Sequence, residues 1–450
     1  MNHSQQSGMD AAAYQLKPAG LGTRIGYRNP KSPVEASRKM LYQPFATAYR
    51  GFGHIELAFV IERAMDLLAE KLGMDPIALR MTNAIQAGDT TPTQNILDDN
   101  TGDLKGCLAK VAERVDWDKG IIEKVDETRG RAKGAACFWK APAIPTNTEA
   151  GASITFNNDG TMNLATGAVE IGQGSQTGLA QITAEAFGVS AENVHVVREV
   201  VTDKAPHDWT TAASRTLFMA GNAALMACED AKQQIRDIAA QVFRCQASEL
   251  KVHGGSVFIE KRPGKRIPLG RIVNGYTYDD GTSIGGPVIG SGRYITPDLT
   301  HVDPETGKGH PGLEWTIGAQ AVEVEVDLSD GSFSIVRAAC AMDVGKVIHP
   351  KLAHGQVEGA MAMGIGFTTI EGIENQALKE AFVVHNGFQC GYCTSGMIVN
   401  IDALFKNDAN PEEATIRSHL QSNLCRCTGY EGIEAAIKSL KINQHNEKPM

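Results

Sequence analysis

Apolar residues recur at helical spacing through HIELAFVIERAMDLLAEKLG, and Gly73 supplies a stop, so an amphipathic helix is expected over about 54–73. Asp75-Pro76 then opens a short second helix, with proline at the first-turn position it tolerates. From about residue 150 the period shortens to two. SITF and TMNLATG flank an Asp159-Gly160 turn and read as a hairpin. A helix near 176–187, a β-like NVHVVREV and a long helix over about 215–243 follow. AVEVEVDLSDGSFSIVRAACA reads as a second hairpin turning at Asp330-Gly331. A helix near 355–363 leads to a glycine-rich junction, and beyond it the chain is almost wholly helical. Residues 1–40, rich in Gly, Pro and polar side chains, carry no sustained period and read as irregular. The order lacks the βα rhythm of a doubly wound sheet. The expected architecture is an α+β region over 41–366, a boundary near 366–372, and a small all-α four-helix bundle over 367–450.

Composition narrows the function classes. The formal net charge is -9 and no basic run occurs, which argues against a nucleic-acid surface. No apolar run reaches the length of a membrane span, roughly 18 residues. The N-terminus has no basic stretch followed by an apolar one, so no secretory signal is read there and a cytoplasmic location is expected. Of nine cysteines, Cys107, Cys137, Cys228, Cys245 and Cys340 are scattered, as buried free thiols of a reducing compartment would be.

The other four cysteines fall within 38 positions, as CxxC at Cys390 and Cys393, 31 intervening residues, and CxC at Cys425 and Cys427. Two tight thiolate pairs suit either a tetrahedral zinc or the two irons of a [2Fe–2S] centre. Zinc modules close more often with CxxC or HxxxH than with CxC, so the spacing leans to iron while leaving zinc open. Helices are expected ahead of Cys390, after Cys393, from Pro411 to about 421 and from about 431, with the cysteines at their loop ends.

Three further segments are hard to assign to packing. AYRGFG (48–53) sets an arginine among glycines at a helix start, where free amides suit a phosphate or pterin. GAVEIGQGSQTG (167–178) ends a strand with Gly172 and Gly174 around Gln173, and TTAASRT (210–216) offers hydroxyls and amides before a long helix. Each, taken singly, also reads as a tight turn with an N-cap. No GxGxxG follows a strand, and neither a Walker loop nor HExxH is present.

The run AFVVHNGFQCGYCTSGMIVN…SNLCRCTGYEGI resembles the helical iron–sulfur domain of the molybdenum hydroxylases, the xanthine dehydrogenase and aldehyde oxidase family, over about 372–442. The loops of about 40–366, in their order, resemble the molybdopterin-binding subunit of the same family, and AMDVGKVIHPKLAHGQVEGAMAMGIG (341–366) is similar to its glycine-rich closing region. The resemblance implies that Cys390, Cys393, Cys425 and Cys427 hold a [2Fe–2S] cluster, with Gln389 contacting the molybdopterin. Arg50, Gly51 and Gly53 would lie by the molybdenum cofactor, in its simple or cytosine dinucleotide form, with Phe52 facing the substrate. Gln173, with Gly174, would bind the dithiolene region; Thr211, Ser214 and Thr216 would hold the pterin and its phosphate. Phe138, in AACF, would close an aromatic sandwich with Phe52. Ser395 stands where the family usually has proline, which changes loop stiffness more than ligation.

The implied reaction hydroxylates a purine, an N-heteroaromatic or an aldehyde with water as oxygen source, electrons leaving through the cluster. A flavin subunit carrying FAD and other molybdenum-hydroxylase subunits are the implied partners. The chain departs from the family where its catalytic glutamate is expected. The family's molybdenum subunit continues past the equivalent of Gly366 to a GxGE-type segment with no match here, and Glu358 and Glu371 are poor substitutes. A GGGFGGK-like loop, the ferredoxin-like C-x4-C-x2-C motif and a flavin domain also have no match. The join at 366–372, where two family patterns share letters, suggests a fused or rearranged gene, or an assembled sequence. The alternative function is a catalytically incomplete iron–sulfur electron-transfer or assembly component.

Overall fold

The computed structural model describes residues 50, 54–91, 93–140, 148–211, 215–303, 305–312, 315–369, 376–389, 393–408 and 410–446. The segment expected to be irregular, 1–40, lies outside them. The first amphipathic helix is α1 (His54–Leu72), and α2 (Pro76–Asn83) begins where Asp75 accepts the amide of Ala78 at 2.9 Å. Arg80 of α2 is buried and reaches back to Glu62 at 2.7 Å and Asp66 at 2.8 Å, so two carboxylates one turn apart clamp the pair of helices together.

In chain order there follow α3 (Leu104–Arg114), β1 (Ile122–Lys124), β2 (Arg129–Lys140), β3 (Glu149–Phe156), β4 (Met162–Thr166), α4 (Ser175–Phe187) and β5 (Val194–Val196). Next come α5 (Arg215–Phe243), β6 (Leu250–His253), β7 (Ser256–Ile259), β8 (Arg262–Pro268), β9 (Tyr276–Thr277), β10 (Ser283–Ile284) and β11 (Ile289–Ile295). The last elements are β12 (Thr316–Asp327), β13 (Phe333–Asp343), α6 (Pro350–Thr369), α7 (Gln376–Val384), α8 (Thr394–Asn407), α9 (Glu413–Leu420) and α10 (Glu431–Asn446).

One sheet runs β1-β2-β12-β13, antiparallel throughout, with α3 packed on it. A second runs β11-β3-β4-β5, antiparallel except for the β4–β5 pair. Its inner face carries the largest core. Ala220, Ala223, Ala224, Ala227 and Ala231 of α5 are fully buried, and this alanine stripe seats on β11 where Gly290 and Gly292 leave no room for a Cβ beneath the helix backbone. A meander β6-β7-β8 extends that core through Leu250, Val252 and Val257. The C-terminal bundle α7–α10 has a core of its own, from Leu378 and Phe382 through Met397, Ile401 and Ile416 to Ile433 and Ile437.

Both hairpins fall where the alternation placed them, with Gly160 and Gly331 at positive φ in the turns. The helix expected at 355–363 is longer, because the Ala and Met residues between its glycines favour helix strongly enough to carry α6 through Gly364 to Thr369. The β-like NVHVVREV forms only a three-residue strand, since β5 has just Met162–Leu164 of β4 to pair with. Periodicity passed over β2, β6–β8 and β11, whose short or glycine-interrupted alternation gives little signal. Cys107 and Cys228 are buried as expected, whereas Cys137, Cys245 and Cys340 are half-buried, all five as thiols. No helix among the described residues is long and apolar enough to cross a membrane.

Candidate functional site

The loop after β4 is built around Glu170. Its carboxylate accepts the amides of Gly172 and Gly174 at 2.9 Å and Gln176 at 3.0 Å, so it caps the first turn of α4. Burial works to raise Glu170, but those amides and the Ser175 hydroxyl outweigh it and hold the carboxyl below its ordinary value. Gly172 and Gly174 take φ of 99° and 83°, in the left-handed range that glycine adopts without strain. Gln173 sits between them, its Oε1 accepting from Ile171 at 2.7 Å and its Nε2 donating to the Val169 carbonyl and the Ser175 hydroxyl, both at 2.9 Å. Its side chain is thus oriented before any ligand arrives.

The TTAASRT segment lies against this loop. The Thr211 hydroxyl accepts the Val169 amide at 2.8 Å, and Gly167 packs on Asp208 so closely that a Cβ would clash. Arg215, the first residue of α5, is 2% exposed; it pairs with buried Asp208 at 2.9 Å, donates to the Thr210 carbonyl and lies 5.6 Å from the centre of the Trp209 ring. Nε and Nη2 of Arg215, Oδ2 of Asp208 and the Thr216 hydroxyl are buried without a hydrogen-bond partner. Buried polar groups left unsatisfied carry a cost of about 1–3 kcal/mol each, so two guanidinium nitrogens and a hydroxyl here fit a ligand bearing acceptor oxygens, and Oδ2 of Asp208 one that also donates.

Helix α6 connects this pair of loops to Arg50. Arg50 Nη2 donates to the carbonyl and side-chain oxygen of Gln356 at 2.8 and 2.9 Å, and Nη1 approaches the Met363 sulfur. Gly359 lies beneath the guanidinium, and Leu352 of the same helix packs on Gly174. Arg50, Gln173, Gly174, Thr211 and Thr216, drawn from three distant segments, are therefore linked through one helix and one pair of loops. Phe138 is half-buried on β2 and faces Gly318 of β12. Gly51, Phe52, Gly53, Ser214, Cys390 and Glu371 lie outside the described residues, and Glu358 is exposed on α6.

The second site is in the bundle. Cys393 caps the start of α8, and Cys425 is buried in the bundle core beside it. Burial would raise the Cys425 thiol, but the Thr428 hydroxyl and amide, the Cys427 amide and Cys393 outweigh it and hold the thiol below its usual value. Cys427 and Gln389 are exposed. Among the described residues no group of three or more His, Cys, Asp or Glu is arranged to hold a metal; Cys390 lies outside them. The loop of Cys425 is braced by Tyr430, whose hydroxyl accepts the Cys425 amide at 2.8 Å and donates to the Asn423 carbonyl at 3.0 Å. Asn400 of α8 ties the preceding turn, donating to the His419 carbonyl at 2.7 Å and the Ser422 hydroxyl at 2.9 Å. Two thiols, Cys393 and Cys425, brought side by side on a pre-braced loop are soft donors of the kind an iron–sulfur cluster takes.

Glu170, Asp208, Arg215, Thr428 and Tyr430 escaped the sequence reading. The available signal was an Asp and an Arg seven positions apart on either side of a hydroxyl-rich loop, Asp208 and Arg215, which only the fold shows to be buried together.

Models of a molybdopterin cofactor-binding domain match residues 6–84 and 110–389, and a model of a [2Fe-2S] binding domain matches residues 369–438. The chain belongs to the molybdenum hydroxylase family, the xanthine dehydrogenase and aldehyde oxidoreductase type. Among its relatives, the putative xanthine dehydrogenase molybdenum-binding subunit XdhA of Escherichia coli K12 is 31% identical over 373 residues, covering 80% of this chain and 46% of that protein. The aldehyde oxidoreductase of Megalodesulfovibrio gigas is 28% identical over 352 residues, 76% of this chain and 34% of that protein. The crystal structure of the aldehyde oxidoreductase from Desulfovibrio desulfuricans aligns with a TM-score of 0.57 at 27% identity, over 71% of this chain and 32% of that one. The chain spans less than half the length of each of these relatives.

Proposed function

We propose that this chain forms part of a molybdopterin-dependent hydroxylase that oxidises a purine, N-heteroaromatic or aldehyde substrate with water as oxygen source and passes electrons to its own [2Fe–2S] cluster. The observation that carries the reading is the convergence of Arg50, Gln173, Gly174, Thr211 and Thr216 through α6 and the paired loops, with unsatisfied buried donors beside them. Gly51, Gly53 and Ser214 complete the pterin contacts. Arg50 and Gln173 orient the pterin, Thr211, Ser214 and Thr216 hold its anionic end, and Phe52 and Phe138 position a planar substrate. Cys390, Cys393, Cys425 and Cys427 ligate the cluster, with Gln389 between it and the pterin.

When bound, molybdenum supplies the two-electron oxidation and the cluster the one-electron exit. The protein's share is orientation and charge stabilisation, which Glu170 assists by fixing the loop that holds Gln173. Other subunits contribute FAD and the remaining molybdenum-site residues, in the cytoplasm, and the cofactor is the simple or the cytosine dinucleotide form. The domains divide at 40 and 366, the second boundary falling within α6 close to its end.

The second reading is an electron-transfer or assembly component without turnover. Anaerobic addition of xanthine, nicotinate or an aromatic aldehyde to molybdenum-loaded protein separates the two. The hydroxylase reading expects bleaching of the cluster's visible absorption by at least one of them, and a fully loaded protein that none of them bleaches contradicts it.

A further inference from the structure

Thr428 sits at the centre of a short chain of hydrogen bonds that ends on the sulfur of Cys425. The Tyr430 amide donates to the Thr428 hydroxyl oxygen at 3.1 Å, and that hydroxyl lies 3.0 Å from Cys425 Sγ. Because the backbone N–H occupies a lone pair of the hydroxyl, the hydroxyl's own proton is left to point at the sulfur once that sulfur is a thiolate, which can only accept. The Thr428 amide approaches the same sulfur at 3.4 Å. The arrangement does not drift. Tyr430 is held at a φ of 67°, and its ring reaches back so that the hydroxyl joins the Cys425 amide to the Asn423 carbonyl. Main chain and side chain of Tyr430 therefore fix, respectively, the donor and the acceptor of one bond.

Resting on the reading that Cys425 is a cluster ligand, we propose that Thr428 is a tuning residue whose hydroxyl, aligned by Tyr430, raises the reduction potential of the [2Fe–2S] cluster. Each electron added to a cluster increases the negative charge on its sulfurs, so a donor aimed at one of them favours the reduced form. The couple transfers one electron, and the hydroxyl keeps its proton throughout. A purely structural role for Thr428 would alter how much cluster assembles without moving the potential of what does.

The test is an EPR-monitored redox titration of the full chain with the reduced cluster as readout, comparing wild type, T428S, T428V and T428A. T428V and T428A remove the hydroxyl with and without a branched side chain. Both are expected to lower the ratio of reduced to oxidised cluster at a fixed potential by about fivefold to tenfold, the scale of a typical net hydrogen bond. T428S keeps the hydroxyl and is expected to titrate like wild type. Either hydroxyl-free variant titrating with the wild-type midpoint overturns the proposal. If neither assembles a cluster, wild-type protein transferred to deuterium oxide decides it. Its iron–cysteine stretching bands are expected to shift in resonance Raman spectra, and bands that do not shift overturn the proposal. A wild-type chain that assembles no cluster at all would instead remove the ligand reading beneath it.

Discussion

The cysteine bundle and the region around Arg50 and Gln173 are put together by opposite means. In the bundle, the four cysteines come from 38 consecutive positions, and the loop that carries Cys425 is braced from within by Tyr430 and Thr428. In the pterin region, Arg50, Gln173, Thr211 and the Leu352 turn are separated by much of the chain and are linked only because α5 seats on the second sheet and α6 joins Arg50 to the Gly174 loop. The bundle has its own core, separate from the one around α5. A local site tolerates changes elsewhere in the fold, whereas a distributed site depends on every element that carries a piece of it.

The sharpest break of this contrast is C425S. It is expected to abolish iron incorporation, by colorimetric iron assay, while thermal unfolding followed by circular dichroism shows the α5-centred core unchanged; loss of that core would mean the two regions are not independent. R215A comes next. It leaves Asp208 buried without its partner, at a cost of about 3–5 kcal/mol, and removes donors from the distributed site. Chemical denaturation should report that loss in the pterin region, and pterin content should fall with iron content retained. E170Q is the smallest. Glu170 is held below its ordinary value of 4.5, so its stabilising contribution is complete at neutral pH and is lost as the pH falls through the lowered folded value. The variant should melt somewhat lower near neutrality and lose less than wild type on acidification; parallel acid limbs would show that Glu170 contributes nothing there.

The same contrast explains what the sequence disclosed. CxxC and CxC spacing is a local signal, and the helices around it carry clear punctuation, so the helices of the bundle were readable. The Asp159-Gly160 and Asp330-Gly331 turns and the long α5 were readable for the same reason. The pterin loops offered only glycines and hydroxyls that also serve ordinary turns, and their proximity came from resemblance. The Asp208–Arg215 pair is a product of burial, which no spacing encodes. Nor did α6 announce its length, since glycines inside it read as an end while Ala and Met kept it helical.

Elemental analysis combined with the visible spectrum, made on the full chain purified with its neighbouring gene products, addresses the central claim that one polypeptide holds both centres. Expected are at least two irons per molybdenum, with pterin present and the absorption of a [2Fe–2S] cluster. A colourless protein containing zinc, or an iron-loaded chain without molybdenum or pterin, would contradict it.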